Sequence, residues 1–135
     1  VENYLALENA LVNDQSAREY AEKMLDAVSK VNMKAFSEKG HLKWMEHQED
    51  LKQKAGAIGK AEKIGEQRRH FITLSNNMIE LVKVFKAPKG KLFVQFCPMA
   101  NDDKGAFWLS EEDQVRNPYY GDMMLKCGEV RGEIR

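Results

Sequence analysis

This sequence is poor in the features that usually announce a function. Only two cysteines, three prolines and three histidines occur in its 135 residues. Two cysteines permit one disulfide and rule out a disulfide framework. In an oxidising compartment that bond could form; in a reducing one the pair would bind metal or stay as thiols. No apolar run approaches the roughly 20 residues that span a bilayer, so no membrane span is expected. Charge of one sign is missing as well, since 21 basic residues balance 21 acidic ones. A nucleic-acid binder shows a basic patch as its footprint; none stands out, and no nucleic-acid partner is expected. G-x-S-x-G, a glycine-rich phosphate loop and H-E-x-x-H are all absent. No histidine stands in a recognisable relation to either cysteine that would let it act as base to a nucleophile. A non-enzymatic role is the expectation. The chain begins at Val1 with no signal pattern, and reads as a mature or trimmed chain whose export signal would already be gone.

What is present is helical. With 43% hydrophobic residues, the composition suits one core, and the length suits one domain over 1–135. Tyr4, Leu7 and Leu11 are spaced by three and four across Glu2 to Val12. Ser16 and Glu19 form an S-x-x-E capping box for a second helix, with Tyr20, Met24, Val28, Val31 and Ala35 along one side. Ser37 is placed to cap a third, carrying Leu42, Met45, Gln48, Leu51, Ala55 and Ile58 inward, with Gly59 as its stop. A fourth runs from about Glu62 to Phe85, with Ile64, Phe71, Leu74, Met78, Leu81 and Phe85 inward. Short connections favour antiparallel neighbours. The period changes after Gly90. Leu92, Val94 and Phe96 alternate as one face of a strand set on the helices, Asn101 to Gly105 is a turn signal, and Ala106 to Leu109 returns beside it. That return brings Trp108 near Phe96. Ser110 with Asp113 reads as a short helical turn. The fold expected is mostly α: an antiparallel four-helix bundle over 1–87, then a short β-hairpin and an irregular Cys/Met-bearing tail over 91–130.

The chemistry gathers in that last part. Cys97 and Met99 lie two apart, on one face if the strand runs that far. Asp122 is placed to cap a turn from Met123 to Cys127, which would put Met123, Met124 and Cys127 on one helical face, with Gly128 as its left-handed end. Two thiolates and two thioethers make a soft donor set of the kind that selects monovalent copper. The alternative is a Cys97–Cys127 disulfide with methionines filling the core beside it. By chain entropy such a bridge contributes on the order of 3–4 kcal/mol. Trp108, Tyr119, Tyr120 and His70 are candidates for the wall of the site, with plain packing as the competing reading for the aromatic three. His41 and His47 lie six apart on one helix, the wrong spacing for a pair of zinc ligands. The Asn101-Asp102-Asp103 run fails the calcium-loop spacing.

Several motifs carry a family resemblance. Phe96-Cys97-Pro98-Met99-Ala100, Trp108-Leu109-Ser110, Asn117-Pro118-Tyr119-Tyr120-Gly121-Asp122-Met123-Met124 and Cys127-Gly128-Glu129-Val130 resemble the hallmark of a bacterial periplasmic domain of unknown function. That domain occurs alone and joined to the adaptor subunits of CusB-type heavy-metal efflux systems. Tyr4-Leu5-Ala6-Leu7 and Gln67-Arg68-Arg69-His70-Phe71 are similar too. The resemblance implies an exported domain that binds or passes on Cu(I) or Ag(I), through Cys97, Met99, Met124 and Cys127, with Met123 as a further member. An efflux adaptor or another periplasmic protein is the implied partner. Metal segments of such adaptors often follow Cys-Pro-Met with His; here Ala100 stands in that place.

Overall fold

A computed structural model describes residues 1–88 and 90–135. The chain is mostly helical, with four α-helices followed by a three-stranded antiparallel sheet. Helix α1 spans Glu2–Val12, α2 Arg18–Ser29, α3 Glu38–Lys60 and α4 Ile64–Phe85. Chain neighbours pack on one another, α1 on α2, α2 on α3 and α3 on α4. Tyr4 ties the first helix to the last: its ring stacks on Phe71 at 5.2 Å, and its hydroxyl shares a 2.7 Å hydrogen bond with that of Ser75.

The apolar spacing places most of the core. Tyr4, Leu7 and Leu11 of α1, Leu51, Ala55 and Ile58 of α3, and Phe71, Leu74, Met78 and Leu81 of α4 are all buried. Ser37 caps α3 as its spacing predicts, accepting from the Gly40 amide at 3.1 Å. Other expectations need correction. The second helix stops at Ser29, leaving Val31 and Ala35 exposed beyond it. Tyr20 on its predicted stripe is only half-buried, and Ala21 is buried instead. Its start is Ala17 with no side-chain cap; the Ser16 hydroxyl accepts long 3.4 Å bonds from the Arg18 amide and the Gln67 side chain. In the first half of α3 the buried side chain is Trp44, while Leu42 and Met45 are exposed. The indole carries more apolar area than either, and that area sets the helix phase. Gly59 lies inside α3. A side chain there would press on Glu22 of α2 at 3.3 Å, so this glycine sets how closely the two helices approach. On α4, Ile64 is half-buried and Phe85 exposed.

The expected hairpin is part of a larger sheet. Strands β1 (Leu92–Cys97), β2 (Ala106–Ser110) and β3 (Glu129–Ile134) run in the order β2-β1-β3. Trp108 faces Gln95 across the pair, and Phe96 faces Phe107. The third strand has no clear alternation because it bulges: Val94 pairs Gly132 and Gln95 pairs Val130, leaving Arg131 as the extra residue. On β1 the Gln95 and Cys97 positions are fully buried, whereas Val94 and Phe96 of the predicted inner face are half-exposed. The segment between β2 and β3 folds over the Gln95 side, and its Glu112 carbonyl takes a 3.0 Å bond from the Gln95 amide. That bond compensates the burial of the Gln95 side-chain nitrogen. Residues 111–114 form no helix; Ser110 accepts from the Glu112 amide at 3.1 Å instead. Buried side chains of helices and sheet form one continuous cluster.

Candidate functional site

Cys97 ends β1 and is fully buried; Cys127 lies half-buried just before β3. Thirty residues apart in sequence, their Sγ atoms sit 3.2 Å from each other as free thiols. The Cys127 thiol is held above its ordinary pKa, first by its hydrogen bond with Cys97 and then by burial. Keeping its proton is therefore the resting preference of Cys127.

Three local structures produce this meeting. After Cys97 the chain turns through Asn101, Asp102 and Asp103, all left-handed at φ 57°, 53° and 65°. Asn and Asp bear that conformation better than other side chains, so the run that failed as a calcium loop makes a tight left-handed turn. The second structure is built on Asn117, fully buried. Its side-chain oxygen accepts from the Tyr119 and Tyr120 amides at 2.8 and 3.2 Å, while its nitrogen donates to the Cys127 carbonyl at 2.8 Å. Asn117 thereby holds the backbone of Cys127. The third is a latch to the helices. Arg68 of α4 donates to the carbonyls of Pro118 and Leu11 at 2.8 and 2.7 Å, and pairs with Asp14 at 2.7 Å. Asp14 in turn accepts from the Asp122 amide at 3.0 Å. Gly121 completes the latch at φ 56°, where a side chain would collide with both Asp14 and Arg68.

The aromatic candidates lie close by. Tyr119 packs edge-on to Trp108 at 5.8 Å and against Phe71 at 5.6 Å, and its hydroxyl donates to the Phe107 carbonyl at 2.6 Å. Tyr120 donates to the Met99 carbonyl at 2.7 Å. Its own hydroxyl is held above the usual tyrosine pKa by desolvation, then by the nearby Cys97 and the acidic turn. His70 lies half-buried on α4, and no hydrogen bond among the described residues joins it to this group.

The methionines are arranged otherwise than the spacing implies. Strand β1 ends at Cys97, so Met99 sits in the turn beyond it, 45% exposed, and the shared-face argument lapses. Met123 to Cys127 is no helical turn. Gly121–Met123 is one turn of 3₁₀-helix containing Asp122, after which Met124 leaves helical geometry at φ −148°. The turn is closed by a 3.0 Å bond from the Cys127 amide to the Met124 carbonyl. Met123 is 83% exposed and Met124 half-buried. Ala100, in the place where a histidine would follow Cys-Pro-Met, is buried in the core. Among the described residues no three His, Cys, Asp or Glu side chains gather closely enough to hold a metal. The soft donor set available is two adjacent thiols, with thioethers in the same two loops.

Sequence reasoning passed over the residues that set the geometry. Asn117 was visible as an Asn-Pro turn former, and Gln67 and Arg68 as polar residues interrupting the inner face of α4. Gln67 is fully buried, accepting from the Ala17 amide and donating to the Ala61 carbonyl, each at 2.9 Å. Residues 1–90 match a family model described as "Protein of unknown function (DUF3347)". The chain belongs to this family. The family match spans all four helices, including Asp14, Gln67 and Arg68, and ends before the sheet and both cysteines. No curated protein matches the chain, and no solved structure does.

Proposed function

We propose that Cys97 and Cys127 bind a soft monovalent cation, Cu(I) or Ag(I), and that the domain is periplasmic, non-enzymatic and linked to heavy-metal efflux. The observation that carries this reading is the 3.2 Å separation of two unbridged thiols, one buried and one half-buried. Metal–thiolate bonds of ~2.3 Å require sulfurs ~3.8 Å apart at a tetrahedral angle and ~4.6 Å apart in line. The pair must therefore spread by roughly 0.6–1.4 Å, which side-chain rotation can supply. Met124 and Met99 would add thioether ligands as the loops close, and exposed Met123 would receive or release the ion. Trp108, Tyr119 and Tyr120 would exclude water from the thiolates. The four helices, read as an antiparallel bundle, would serve as a rigid base, and an efflux adaptor or another periplasmic protein would take the ion onward.

A competing reading rests on the same distance. A disulfide needs sulfurs ~2.05 Å apart, an inward movement comparable with the outward one that metal demands. The domain would then be a cross-linked structural or interaction module.

Competition for Cu(I) against a coloured chelator, on reduced protein, tests the leading proposal. One ion per chain is expected, lost in the Cys97→Ser, Cys127→Ser double variant and weakened in Met99→Leu, Met124→Leu. Unchanged binding in the double serine variant would defeat it. Thiol titration of protein taken directly from the periplasm decides between the readings: two reactive thiols keep the metal site, none favours the bridge.

A further inference from the structure

A second site lies at the other end of α1, about 16 Å along its axis from the Arg68 latch. Here α2, α3 and α4 leave a half-open cavity of about 230 Å³ with a wall that is almost wholly apolar, including Val28, Trp44, Met78 and Phe85. Its shape is fixed by packing. Phe36 sits 4.8 Å from the Phe85 ring and 6.2 Å, edge-on, from Trp44. Gly40 supports Phe85 from behind, where a side chain would lie 3.1 Å from the ring. Lys86, just past the end of α4, is the only charged side chain on the wall among the described residues. Among the described residues it has no ion-pair partner.

Size and charge together define an occupant. An apolar cavity of about 150 Å³ stays dry and holds the six carbons of benzene. In proportion, this one holds roughly nine. An apolar pocket with a lysine cation at the rim suits a chain ending in one anion. We propose that this cavity binds the chain of a medium-length aliphatic carboxylate, of about eight or nine carbons, with Lys86 meeting the carboxylate. The ammonium fixes which end faces water, and the aromatic wall accepts the chain without rearrangement. This proposal is independent of the thiol pair, because no residue is shared.

Trp44 reports on the cavity directly, whereas Trp108 is fully buried in the sheet. Titration with 8-bromooctanoate, whose bromine quenches indole emission on contact, is expected to give saturable loss of Trp44 fluorescence. The quenching should vanish in Trp44→Phe, where Trp108 alone emits. It should vanish also in Ala27→Phe, which fills the space from an exposed helical position and leaves buried contacts intact. Lys86→Glu should raise the half-saturating concentration roughly five- to tenfold, while n-octanol competes equally well in that variant and in the unsubstituted protein. Absence of saturable quenching, or quenching that survives in Trp44→Phe or Ala27→Phe, would overturn the site. An unchanged midpoint in Lys86→Glu would overturn the carboxylate.

Discussion

Glu8 is the residue whose chemistry its position disturbs most. It lies on the inner side of α1, 7% exposed, facing the Glu111-Glu112 pair and Arg116 of the segment after β2. Burial, opposed by Arg116 and reinforced by the two glutamates, lifts its pKa to about 8. A carboxyl with a raised folded-state value binds more protons folded than unfolded, between its ordinary pKa and the raised one. Stability therefore falls as pH rises from about 4.5 to about 8 and is level above that. The span corresponds to a loss on the order of 5 kcal/mol. Glu8→Gln should flatten this slope and raise the melting temperature at pH 8 while changing little at pH 4.5, as thermal denaturation across that range would show. A variant that melts like the unsubstituted protein at pH 8 would mean that Glu8 is ionised and solvated. Glu8 drew no notice in the sequence, because one glutamate among 21 acidic residues looks like a solvated helix charge until the C-terminal segment closes over it. Trp44 illustrates the same difficulty: a stripe through Leu42 and Met45 fits the helical period, and only the volume of the indole decides the phase.

Elements are held in this protein by single polar residues that reach between them. Arg68 joins the end of α1 to the segment that delivers Cys127, through three acceptors at once. Hydrogen bonds to charged groups are worth about 1.5–3 kcal/mol each, and the stranded carbonyls add to the loss. Arg68→Ala is expected to lower stability by roughly 2–4 kcal/mol and to speed alkylation of Cys127, because the segment above it loosens. Alkylation at the unsubstituted rate would mean that Asn117 alone holds the segment. Acid should open the same latch. Arg68 and the Asp122 amide keep the Asp14 carboxyl below its usual pKa, so this contribution is present above the ordinary aspartate range and is lost as pH falls below it. Strand edges are treated in a similar way. The outer edge of β2 is closed by tyrosines, with the Leu109 amide donating to the Tyr4 hydroxyl at 3.1 Å and the Phe107 carbonyl accepting from Tyr119 at 2.6 Å. The edge of β3 carries the Arg131 bulge and alternating charges, features that discourage pairing with another chain. Tyr4→Phe strands the buried Leu109 amide and should cost about 1–3 kcal/mol, measured by denaturant unfolding. Helices were legible because their signal is local and repeats every three or four residues. The third strand was not, since its bulge breaks alternation and its pairing partner lies over thirty residues earlier. The thiol pair was legible as a possibility from residue types, but its methionines were placed by assuming a strand and a helix extending past their real ends.

Across the whole molecule, the helical part and the sheet share their aromatic core. Tyr4 of α1 stacks on Phe71 of α4, Phe71 meets Tyr119 of the C-terminal segment, and Tyr119 meets Trp108 of β2. All four rings are buried, so neither part keeps a finished surface without the other. Removing the C-terminal part would expose Tyr4, Phe71 and their neighbours, at ~25 cal/mol per Å² of apolar surface. One cooperative transition is therefore expected. Helix loss followed by far-ultraviolet circular dichroism and Trp108 emission followed in a Trp44→Phe background should trace the same denaturation curve. Tyr119→Ala, which cuts the chain of rings at its centre, should shift both probes together by about 3–5 kcal/mol. Were the sheet signal to melt first while the helices stayed folded, the two parts would be separable. The thiol pair would then sit on a piece that opens by itself. Coincident curves would instead tie the spacing of Cys97 and Cys127 to the stability of all four helices, so that a substitution as remote as Tyr4→Phe would reach the sulfurs.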